Sequence, residues 1–159
     1  MNDPTGASAL SIRTATDDDM MFVIGLARRF GETRATWRQL DEVVSGTERA
    51  LRKAFHKPSD ADVVFIAEDA AGTRHGFAYV VTHHDFFTGE EHGHISEIAT
   101  VSDGTGAGSL LMDSAELWSR KRGFRYLSLN VNDVNDRAHQ LYSSRDYQPE
   151  YRHLAKLLR

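Results

Sequence analysis

Hydrophobic and polar positions along this chain follow two periods, and each period predicts a type of element. Apolar runs rich in β-branched and aromatic residues are typical of strands, and apolar residues three and four positions apart are typical of amphipathic helices. In chain order the pattern predicts a strand at 12–14, helices at 20–30 and 36–56, and strands at 62–68, 76–82 and 95–101. A helix at 109–118, a strand at 126–131 and a helix at 135–142 follow, while 152–158 fits either a strand or a helix. This alternation predicts an α/β protein.

Length and composition narrow the class of protein. A chain of 159 residues is most simply one domain, so we expect a single domain over residues 1–159, with the small and polar residues 1–8 frayed. The net charge of −4 and an isoelectric point near 6.0 argue against general nucleic-acid binding. No apolar run reaches the roughly 18 residues of a membrane span, and no secretory signal is evident, so a cytoplasmic protein is expected. The absence of cysteine excludes disulfides, a thiol nucleophile and cysteine-based zinc sites.

The most informative segment is the glycine loop, Asp103-Gly104-Thr105-Gly106-Ala107-Gly108, between a predicted strand and a predicted helix. Glycine permits backbone angles closed to other residues and leaves N–H groups uncovered. At the start of a helix such N–H groups, together with the helix dipole, bind anions and most often phosphate. No Lys-Ser or Lys-Thr pair follows the loop, so it is not a Walker A motif, and its spacing differs from that of dinucleotide-binding folds.

The residues that follow give the glycine loop a family context. After the strand at 126–131 come Asn135-Asp136-Arg137-Ala138-His139-Gln140-Leu141-Tyr142 and then Arg145-Asp146-Tyr147. A glycine loop entering a helix, a second strand and then N-x-x-A-x-x-L-Y resembles the GNAT-type N-acetyltransferase superfamily, closely over about residues 95–150. The resemblance implies a single-domain acetyltransferase-like fold with a mixed central sheet and helices on both faces. It also implies the order β-α-α-β-β-β-α-β-α-β, in which 152–158 is the final strand.

The resemblance further implies acetyl-CoA as co-substrate. Its pyrophosphate is expected at the glycine loop and the first helical turn, and its pantetheine arm along the backbone of the preceding strand. The residues implied for cofactor binding are Ile98, Ala99, Thr100, Gly104, Thr105, Gly106, Ala107, Gly108, Ser109 and Asn135. Tyr142 is the expected general acid, because a phenol with a pKa of about 10 can protonate the leaving thiolate.

Two residues are candidates for the general base. His94 lies four residues before Ile98, a position from which some family members present a glutamate base. An imidazole with an ordinary pKa near 6.5 can accept an ammonium proton. Glu97, immediately before the segment expected to pair with pantetheine, is the competing candidate, and loss of the proton to solvent is a third alternative. Simple alternation places His94 and Glu97 on opposite faces of their strand.

Two positions depart from the family pattern. Asp103 stands where Arg or Gln is usual, and a carboxylate near a pyrophosphate is unfavourable unless it points away. Asp146 stands where glycine is usual, after a helix, at a site that often requires a left-handed backbone. We therefore expect cofactor affinity to depend on how the fold accommodates Asp103.

Together these features predict an acetyl-CoA-dependent N-acetyltransferase acting on a primary amine of a small molecule or peptide. Because no cysteine can form an acetyl-enzyme, direct attack in a ternary complex is expected. The alternative is a non-catalytic acyl-CoA-binding or sensor module on the same fold, in which Asp103 and Asp146 mark a relaxed site. Histidine pairs flank segment 85–91 without a defined third ligand, so no metal site is expected. Neither nucleic acid nor membrane is an expected partner, whereas an exposed edge strand would allow a homodimer.

Overall fold

The computed structural model describes residues 9–158, so the expected fraying of residues 1–8 lies outside the described residues. The described chain forms β1 (Ser11–Thr14), a 3-10 turn (Asp17–Asp19), α1 (Met20–Gly25), α2 (Ala27–Gly31), α3 (Leu40–His56), β2 (Val63–Glu68), β3 (Arg74–His84), β4 (Glu91–Thr100), α4 (Ala107–Lys121), β5 (Leu127–Leu129) and α5 (Asp136–Ser143). None of the helices within residues 9–158 has the length and apolar character needed to cross a membrane. The predicted order is present from the first strand to the last helix.

The strands form one mixed sheet in the order β1-β2-β3-β4-β5. Strands β1 to β4 are antiparallel to their neighbours, whereas β4 and β5 are parallel. A parallel pair requires a crossover connection, and α4 provides it. The glycine loop, which enters α4, therefore lies at the end of β4 from which this crossover departs.

Helices cover both faces of the sheet, which confirms the predicted fold class. On one face, called the α1–α3 face, helices α1 and α3 pack against the sheet through a cluster that includes Val23, Leu51 and Phe77. On the other, called the α4 face, α4 packs through Leu111 and Met112. All five side chains are 0% exposed. Burying an aliphatic or aromatic side chain of this size contributes about 1.5–3 kcal/mol to folding, so these two clusters fix both layers.

A β-bulge in β4 changes which of its side chains share a face. Tyr79 of β3 lies opposite Glu97, but the next residue, Val80, lies opposite Ile95. Ser96 is therefore an extra residue with no opposite partner on β3. Directly opposed residues point to the same face and consecutive residues point to opposite faces. It follows that Glu97 and Ile95 lie on opposite faces of the sheet.

This bulge corrects the expectation drawn from simple alternation. Ile95 packs on the α4 face, so His94, one residue earlier, points to the α1–α3 face. Glu97 points to that face as well, because Tyr79 opposite it packs against the α1–α3 cluster. The two base candidates therefore share one face, since a single extra residue shifts the alternation by one position.

Strands β4 and β5 pair over three positions and then separate. The parallel pairs are Gly93 with Leu127, His94 with Ser128, and Ile95 with Leu129. Beyond Ile95, β4 has no strand neighbour on this side within residues 9–158. A strand ends where its ladder ends, so β5 stops at Leu129 and not at the predicted residue 131. We call the gap between the two strands the β4–β5 opening.

The final strand expected at 152–158 does not form. Residues 147–158 have neither helical nor strand structure. Leu154 and Leu158 are 87% and 86% exposed. A strand is stabilised by cross-strand pairs and by burial of one face, and this segment has neither in the described chain. The sheet therefore ends at β5, and the predicted element order lacks its last member.

The first two predicted helices also differ from those observed. The helix predicted at 20–30 is divided into α1 and α2 around Gly25 and Leu26. Glycine is a poor helix former, which explains the break. The second begins at Leu40 and not at residue 36, because Gln39 and Glu42 form a capping box.

Candidate active site

The glycine loop joins β4 to α4, and two glycines determine its shape. Gly104 and Gly106 adopt φ angles of 77° and 81°, in the left-handed region that a side chain disfavours. Gly106 is the N-cap of α4, so the helix begins directly behind the loop. Residues 101–106 are exposed. The backbone of the loop is therefore accessible to a ligand at the start of a helix.

The first turn of α4 carries free backbone N–H groups. Leu110 N donates to Gly106 O at 3.2 Å, and Ala107 N donates to the Thr105 hydroxyl at 3.4 Å. The amides of Gly108 and Ser109 lie between them in sequence and donate to no protein acceptor within residues 9–158. Free N–H groups at the positive end of a helix favour an anion. This geometry is compatible with the pyrophosphate group that the family resemblance implies for the loop.

Asp103, at the start of the loop, is paired with two arginines. Its Oδ1 accepts from Arg29 Nη2 at 3.1 Å, and its Oδ2 forms an ion pair with Arg137 Nη1. Arg29 belongs to α2 and Arg137 to α5, so the carboxylate connects elements from both sides of the sheet. Arg29 also pairs with Glu32 at 3.4 Å. Neighbouring guanidinium groups therefore balance the charge of Asp103.

The half of β4 that passes the β4–β5 opening has a hydrogen-bonding edge without a strand partner in the described part of the chain. Ile98, Ala99 and Thr100 pair with β3 on one side. On the other side β5 has already ended, so alternate residues direct their N–H and C=O groups into the opening. An extended ligand with amide groups can pair with such an edge as an added strand would. The three residues predicted to bind pantetheine are thus brought together beside the glycine loop.

Tyr142 lies on the opposite side of this strand from the base candidates. It packs on the α4 face with Val80 and Ile95, and its ring centroid lies 5.9 Å from that of Tyr147. Burial raises the pKa of Tyr142 and so keeps the phenol protonated. Its hydroxyl has no hydrogen-bond partner among protein groups in the described chain. A phenol that is protonated and unpartnered is free to donate to a ligand.

Asn135 and Asp146 mark the two ends of α5. Asn135 is the N-cap, and its Oδ1 accepts from Ala138 N at 3.2 Å. Capping engages the amide oxygen and leaves Nδ2 as a donor, so the expected contact with pantetheine stays a prediction. Asp146 has a φ of 64°, which confirms the predicted left-handed backbone, and Tyr147 N donates to Tyr142 O at 3.0 Å to close the helix.

Glu97 is partly buried on the α1–α3 face and has an unpartnered oxygen. Its Oε2 is inaccessible to solvent and has no hydrogen-bond partner within the described residues. Burial raises the pKa of the Glu97 carboxyl group, and a hydrogen bond from Ser96 opposes that effect without cancelling it. A carboxylate with a raised pKa is a stronger proton acceptor than an exposed one.

His94 is a weaker base than its ordinary pKa suggests. It is 8% exposed, and its Nδ1 lies 2.8 Å from Ser128 Oγ on β5. Burial lowers the pKa of His94 to about 4, with further lowering by His83 and His92. The imidazole is therefore neutral at physiological pH and has little tendency to bind a proton.

The histidines at this end of the sheet stack on neighbouring rings. The rings of His83 and His94 are nearly parallel, with centroids 4.4 Å apart, and His92 stacks on Tyr126 at 4.3 Å. Stacking directs ring faces, and not ring nitrogens, at the neighbouring group. Within residues 9–158 no group of three or more His, Cys, Asp or Glu residues is arranged to hold a metal ion.

Sequence reasoning did not identify Arg29, Arg137 and Ser128 as parts of this region. Arg29 is separated from Asp103 by 74 positions, and no local pattern connects them. Arg137 offers one signal, because a positive charge in the first turn of a helix opposes the helix dipole. Ser128 contacts His94 only because of the β4–β5 register.

Comparison with protein families gives one match. A model described as the acetyltransferase (GNAT) family matches residues 26–147. No significant sequence relative is found among curated proteins. The matched range begins at Leu26, between α1 and α2, and includes the β4–β5 opening, the glycine loop and α5.

Solved structures share the fold at low sequence identity. A transcriptional regulator from Bacillus halodurans C-125 has a TM-score of 0.73 at 19% identity, over 94% of this chain and 100% of that chain. Aminoglycoside N-acetyltransferase AAC(6')-Iy in complex with CoA has a TM-score of 0.69 at 18% identity, over 99% of each chain. A ribosomal-protein-alanine N-acetyltransferase from Brucella melitensis biovar Abortus 2308 has a TM-score of 0.67 at 18% identity, over 94% of this chain and 99% of that chain.

Proposed function

Because the chain belongs to the acetyltransferase (GNAT) family, we propose that it transfers an acetyl group from acetyl-CoA to a primary amine of a small molecule or peptide. The observation that carries the proposal is the β4–β5 opening beside the glycine loop. Anion-binding amides and a free strand edge follow one another along this region. That succession suits a ligand in which an amide-containing arm extends from a pyrophosphate, as it does in CoA.

The chain's own residues would hold the co-substrate mainly through backbone groups. The amides of Gly108 and Ser109 would bind the pyrophosphate, and residues 98–100 would pair with the pantetheine arm. Asn135 Nδ2 would donate to the same arm. Bound acetyl-CoA supplies an activated thioester, and the protein supplies orientation and control of protons.

We assign Tyr142 as general acid and prefer Glu97 to His94 as general base. Burial keeps Tyr142 protonated, as a proton donor to a thiolate must be, and its hydroxyl has no partner among residues 9–158. Burial raises the pKa of Glu97, whereas the pKa of His94 is lowered to about 4. A base is most effective when its pKa approaches the working pH, which favours Glu97. Glu97 would accept the proton directly or through water.

The positions of these residues favour direct attack in a ternary complex. Tyr142 packs on the α4 face and Glu97 points to the α1–α3 face, so acid and base approach β4 from opposite sides. The amine would therefore enter from the α1–α3 face while the thiol leaves toward the α4 face. With no cysteine in the chain, an acetyl-cysteine intermediate is excluded.

An acceptor with a positive charge suits the α1–α3 face. A cavity of about 170 Å³ on this face is lined by Tyr79, whose strand position lies opposite Glu97, together with Phe55, Asp17 and Asp62. None of its described lining residues is basic. Carboxylates and an aromatic ring attract an ammonium group. Small amines and peptide amines both fit this chemistry. Of the two acetyltransferases compared above, one is named for an aminoglycoside and the other for an alanine of a ribosomal protein.

A non-catalytic acyl-CoA-binding or sensor module is the second candidate. A related fold occurs in a protein described as a transcriptional regulator, which favours keeping this alternative. Its original basis is weaker in the structure, since Asp103 is paired with arginines and Asp146 adopts the left-handed backbone that its position requires. The two candidates differ in turnover and agree in cofactor binding.

Isothermal titration with acetyl-CoA, with ATP and NAD as controls, is the first test. We expect saturable binding of acetyl-CoA alone. A panel of small amines and peptides would then be screened by detection of free thiol. Binding without turnover on any amine would favour the sensor module, and no binding at millimolar acetyl-CoA would overturn both candidates.

Location and assembly stay proposals. We expect a cytoplasmic protein with no nucleic-acid or membrane partner, on the basis of the composition. Strand β5 is the outer strand of the sheet within residues 9–158, which supports a homodimer, because unpaired strand edges pair readily with another chain. Light scattering after gel filtration measures the oligomeric state directly.

A further inference from the structure

The ion pairs around Asp103 hold a cationic side chain beside the glycine loop that the assignments above leave unused. Arg137 pairs with Asp103, which also accepts from Arg29 at 3.1 Å. Arg29 has a second carboxylate neighbour, Glu32, at 3.4 Å. Within residues 9–158, Asp103 is the one carboxylate that pairs with Arg137. The cluster therefore holds two guanidinium groups and two carboxylates, and Arg137 has one carboxylate partner among the described residues, which it shares with Arg29, whereas Arg29 has two.

Helix α5 lies beside the glycine loop and approaches it at two places, through Arg137 and through Leu141. Leu141 lies one turn after Arg137, and residues four apart share a helix face. A methyl group placed at Gly108 would lie 4.0 Å from Leu141 Cδ2. Arg137 therefore meets the loop at Asp103, and Leu141 meets it at Gly108, where the free amides are.

Stability of the fold does not account for Arg137. It is the second residue of α5, where a positive charge opposes the helix dipole. Its pair with Asp103 is solvent-exposed, with side chains 59% and 54% accessible, and exposed pairs contribute little to folding. A guanidinium group held at Asp103, in the loop that leads to the Gly108 and Ser109 amides, has the properties of a phosphate ligand, since arginine binds phosphate oxygens with charge-assisted hydrogen bonds.

We propose that Arg137 is a phosphate-binding residue for the pyrophosphate of a nucleoside-diphosphate ligand, and that Asp103 and Arg29 position it. The inference rests on the proposed function, in which that ligand is CoA. In the free protein, Asp103 holds the guanidinium group at the loop. On binding, Arg137 exchanges a carboxylate oxygen for a phosphate oxygen, and Arg29 keeps Asp103 neutralised. In this way the chain accommodates a carboxylate at the start of a phosphate-binding loop.

The first experiment compares CoA affinities by isothermal titration. Arg137→Ala should weaken CoA binding about tenfold, the range of one charge-assisted contact in a partly exposed site. Arg120→Ala is the matched control, because Arg120 forms an exposed pair with Glu116 at 3.2 Å near the far end of α4. It should leave CoA affinity unchanged. Thermal unfolding of each variant verifies that the fold is retained.

A second set of variants separates positioning from direct contact. Arg29→Ala should weaken CoA binding. Without Arg29, Arg137 is the remaining cation paired with Asp103, so Arg137 is less available to bind phosphate. Adding Asp103→Asn to Arg29→Ala should restore the affinity to within about threefold of the wild type, since no carboxylate then competes for Arg137. A simple structural role of this cluster predicts the opposite, a further loss in the double variant.

A third comparison locates the contact on the ligand. If Arg137 binds the pyrophosphate, Arg137→Ala should lower the affinities for CoA and for 3′-dephospho-CoA by the same factor. A loss confined to CoA would overturn the assignment, because it places Arg137 at the 3′-phosphate. Wild-type-like affinity of Arg137→Ala would overturn this inference alone, whereas a wild-type protein that does not bind CoA would overturn the proposed function as well.

Discussion

At the scale of single residues, burial raises the pKa of both the candidate acid and the preferred candidate base. Tyr142 lies in apolar packing on the α4 face, where burial raises the pKa of its phenol. Glu97 lies on the α1–α3 face, where burial raises the pKa of its carboxyl group and one oxygen has no described partner. Both shifts have one cause, the unfavourable transfer of a charged form out of water. Each residue can therefore be tested by removing the titratable group and keeping its shape.

Tyr142→Phe removes the hydroxyl and keeps the ring. If the phenol protonates the leaving thiolate, kcat should fall about 100-fold. Affinity for CoA and the free energy of unfolding should change little, because the hydroxyl has no protein partner within the described residues. Steady-state kinetics and urea unfolding measure both. Tyr147→Phe is the control, since its ring neighbours that of Tyr142, and an equal loss of kcat in both variants would contradict the assignment.

The pH dependence of activity distinguishes Glu97 from His94. A general base must be deprotonated, so kcat/KM falls as pH decreases through the pKa of that base. Because burial raises the pKa of Glu97 above 4.5, its acidic limb should lie above pH 4.5. Glu97→Gln should remove this limb and lower kcat about 100-fold.

His94→Gln is the control for that measurement. The pKa of His94 is lowered to about 4, so its loss should leave the acidic limb assigned to Glu97 in place. A limb that disappears in His94→Gln and persists in Glu97→Gln would reverse the assignment. A limb that persists in both variants would indicate that the amine loses its proton to solvent.

At the scale of elements, the ends of helices and strands define the site. Helix α4 begins at Gly106, and α5 begins after the Asn135 cap. Strand β5 ends while β4 continues, which leaves this edge of β4 without a strand partner among residues 9–158. The C-terminal end of α5 carries the one described non-glycine residue with a positive φ, Asp146.

Replacing Asp146 by glycine tests the backbone at that end. A left-handed conformation is unfavourable by about 1–2 kcal/mol for a non-glycine residue, and the added freedom of glycine in the unfolded chain offsets part of this. Asp146→Gly should therefore raise the free energy of unfolding by up to about 1 kcal/mol in urea titrations. Asp146→Ala should lower it, since alanine tolerates the left-handed region less well than aspartate. Equal stabilities of the two variants would show that the left-handed backbone is not retained.

At the scale of the whole molecule, a buried carboxylate joins the first strand to the central sheet. Asp19 is 0% exposed and pairs with Arg13 of β1 and Arg74 of β3, each at 2.7 Å. It also accepts from Thr16 N at 2.8 Å. Arg13 in turn pairs with Glu68 of β2 at 2.8 Å. Charges from three strands and the 3-10 turn thus depend on the ionised state of Asp19.

Stability should therefore decrease in acid through Asp19. The hydrogen bond from Arg13 lowers the pKa of Asp19 from 3.8 to about 2. A carboxyl group whose pKa is lower in the folded protein than in the unfolded chain stabilises the fold at pH values above its unfolded pKa of 3.8. This stabilisation is lost as the pH falls from 3.8 toward 2. The shift corresponds to about 2 kcal/mol. Asp19→Asn should lower the free energy of unfolding by about this amount at pH 7. In urea unfolding, the free energy of the variant should also change less with pH in the acid range, and an unchanged pH dependence would contradict this role of Asp19.

Much of the fold and part of the candidate site follow from local sequence. Alternation and helical periodicity depend on neighbouring residues, so they located β2, β3 and α4 to within a few positions. The glycine loop and the caps of α5 are equally local, because backbone angles and orphan N–H groups depend on a few adjacent residues. The left-handed conformation at Asp146 was predicted on the same basis and is confirmed.

Tertiary structure decided what depends on register and on distant charges. The bulge at Ser96 places Glu97 on the same face as His94. Alternation along β4 alone could not predict this, because the bulge depends on how β4 pairs with β3. The β4–β5 opening likewise exists because two strands separated in sequence pair at three positions and no further. The expected strand at 152–158 is absent, since a strand is stabilised by partners that its own sequence does not contain.

Asp103 shows the same division in a single side chain. By itself, the sequence determined that a carboxylate stands at the start of a loop predicted to bind an anion. Only the packing of α2 and α5 determined that Arg29 and Arg137 neutralise it. Local chemistry is encoded by adjacent residues, whereas the sign and strength of a site's charge depend on every element that folding brings within a few ångströms.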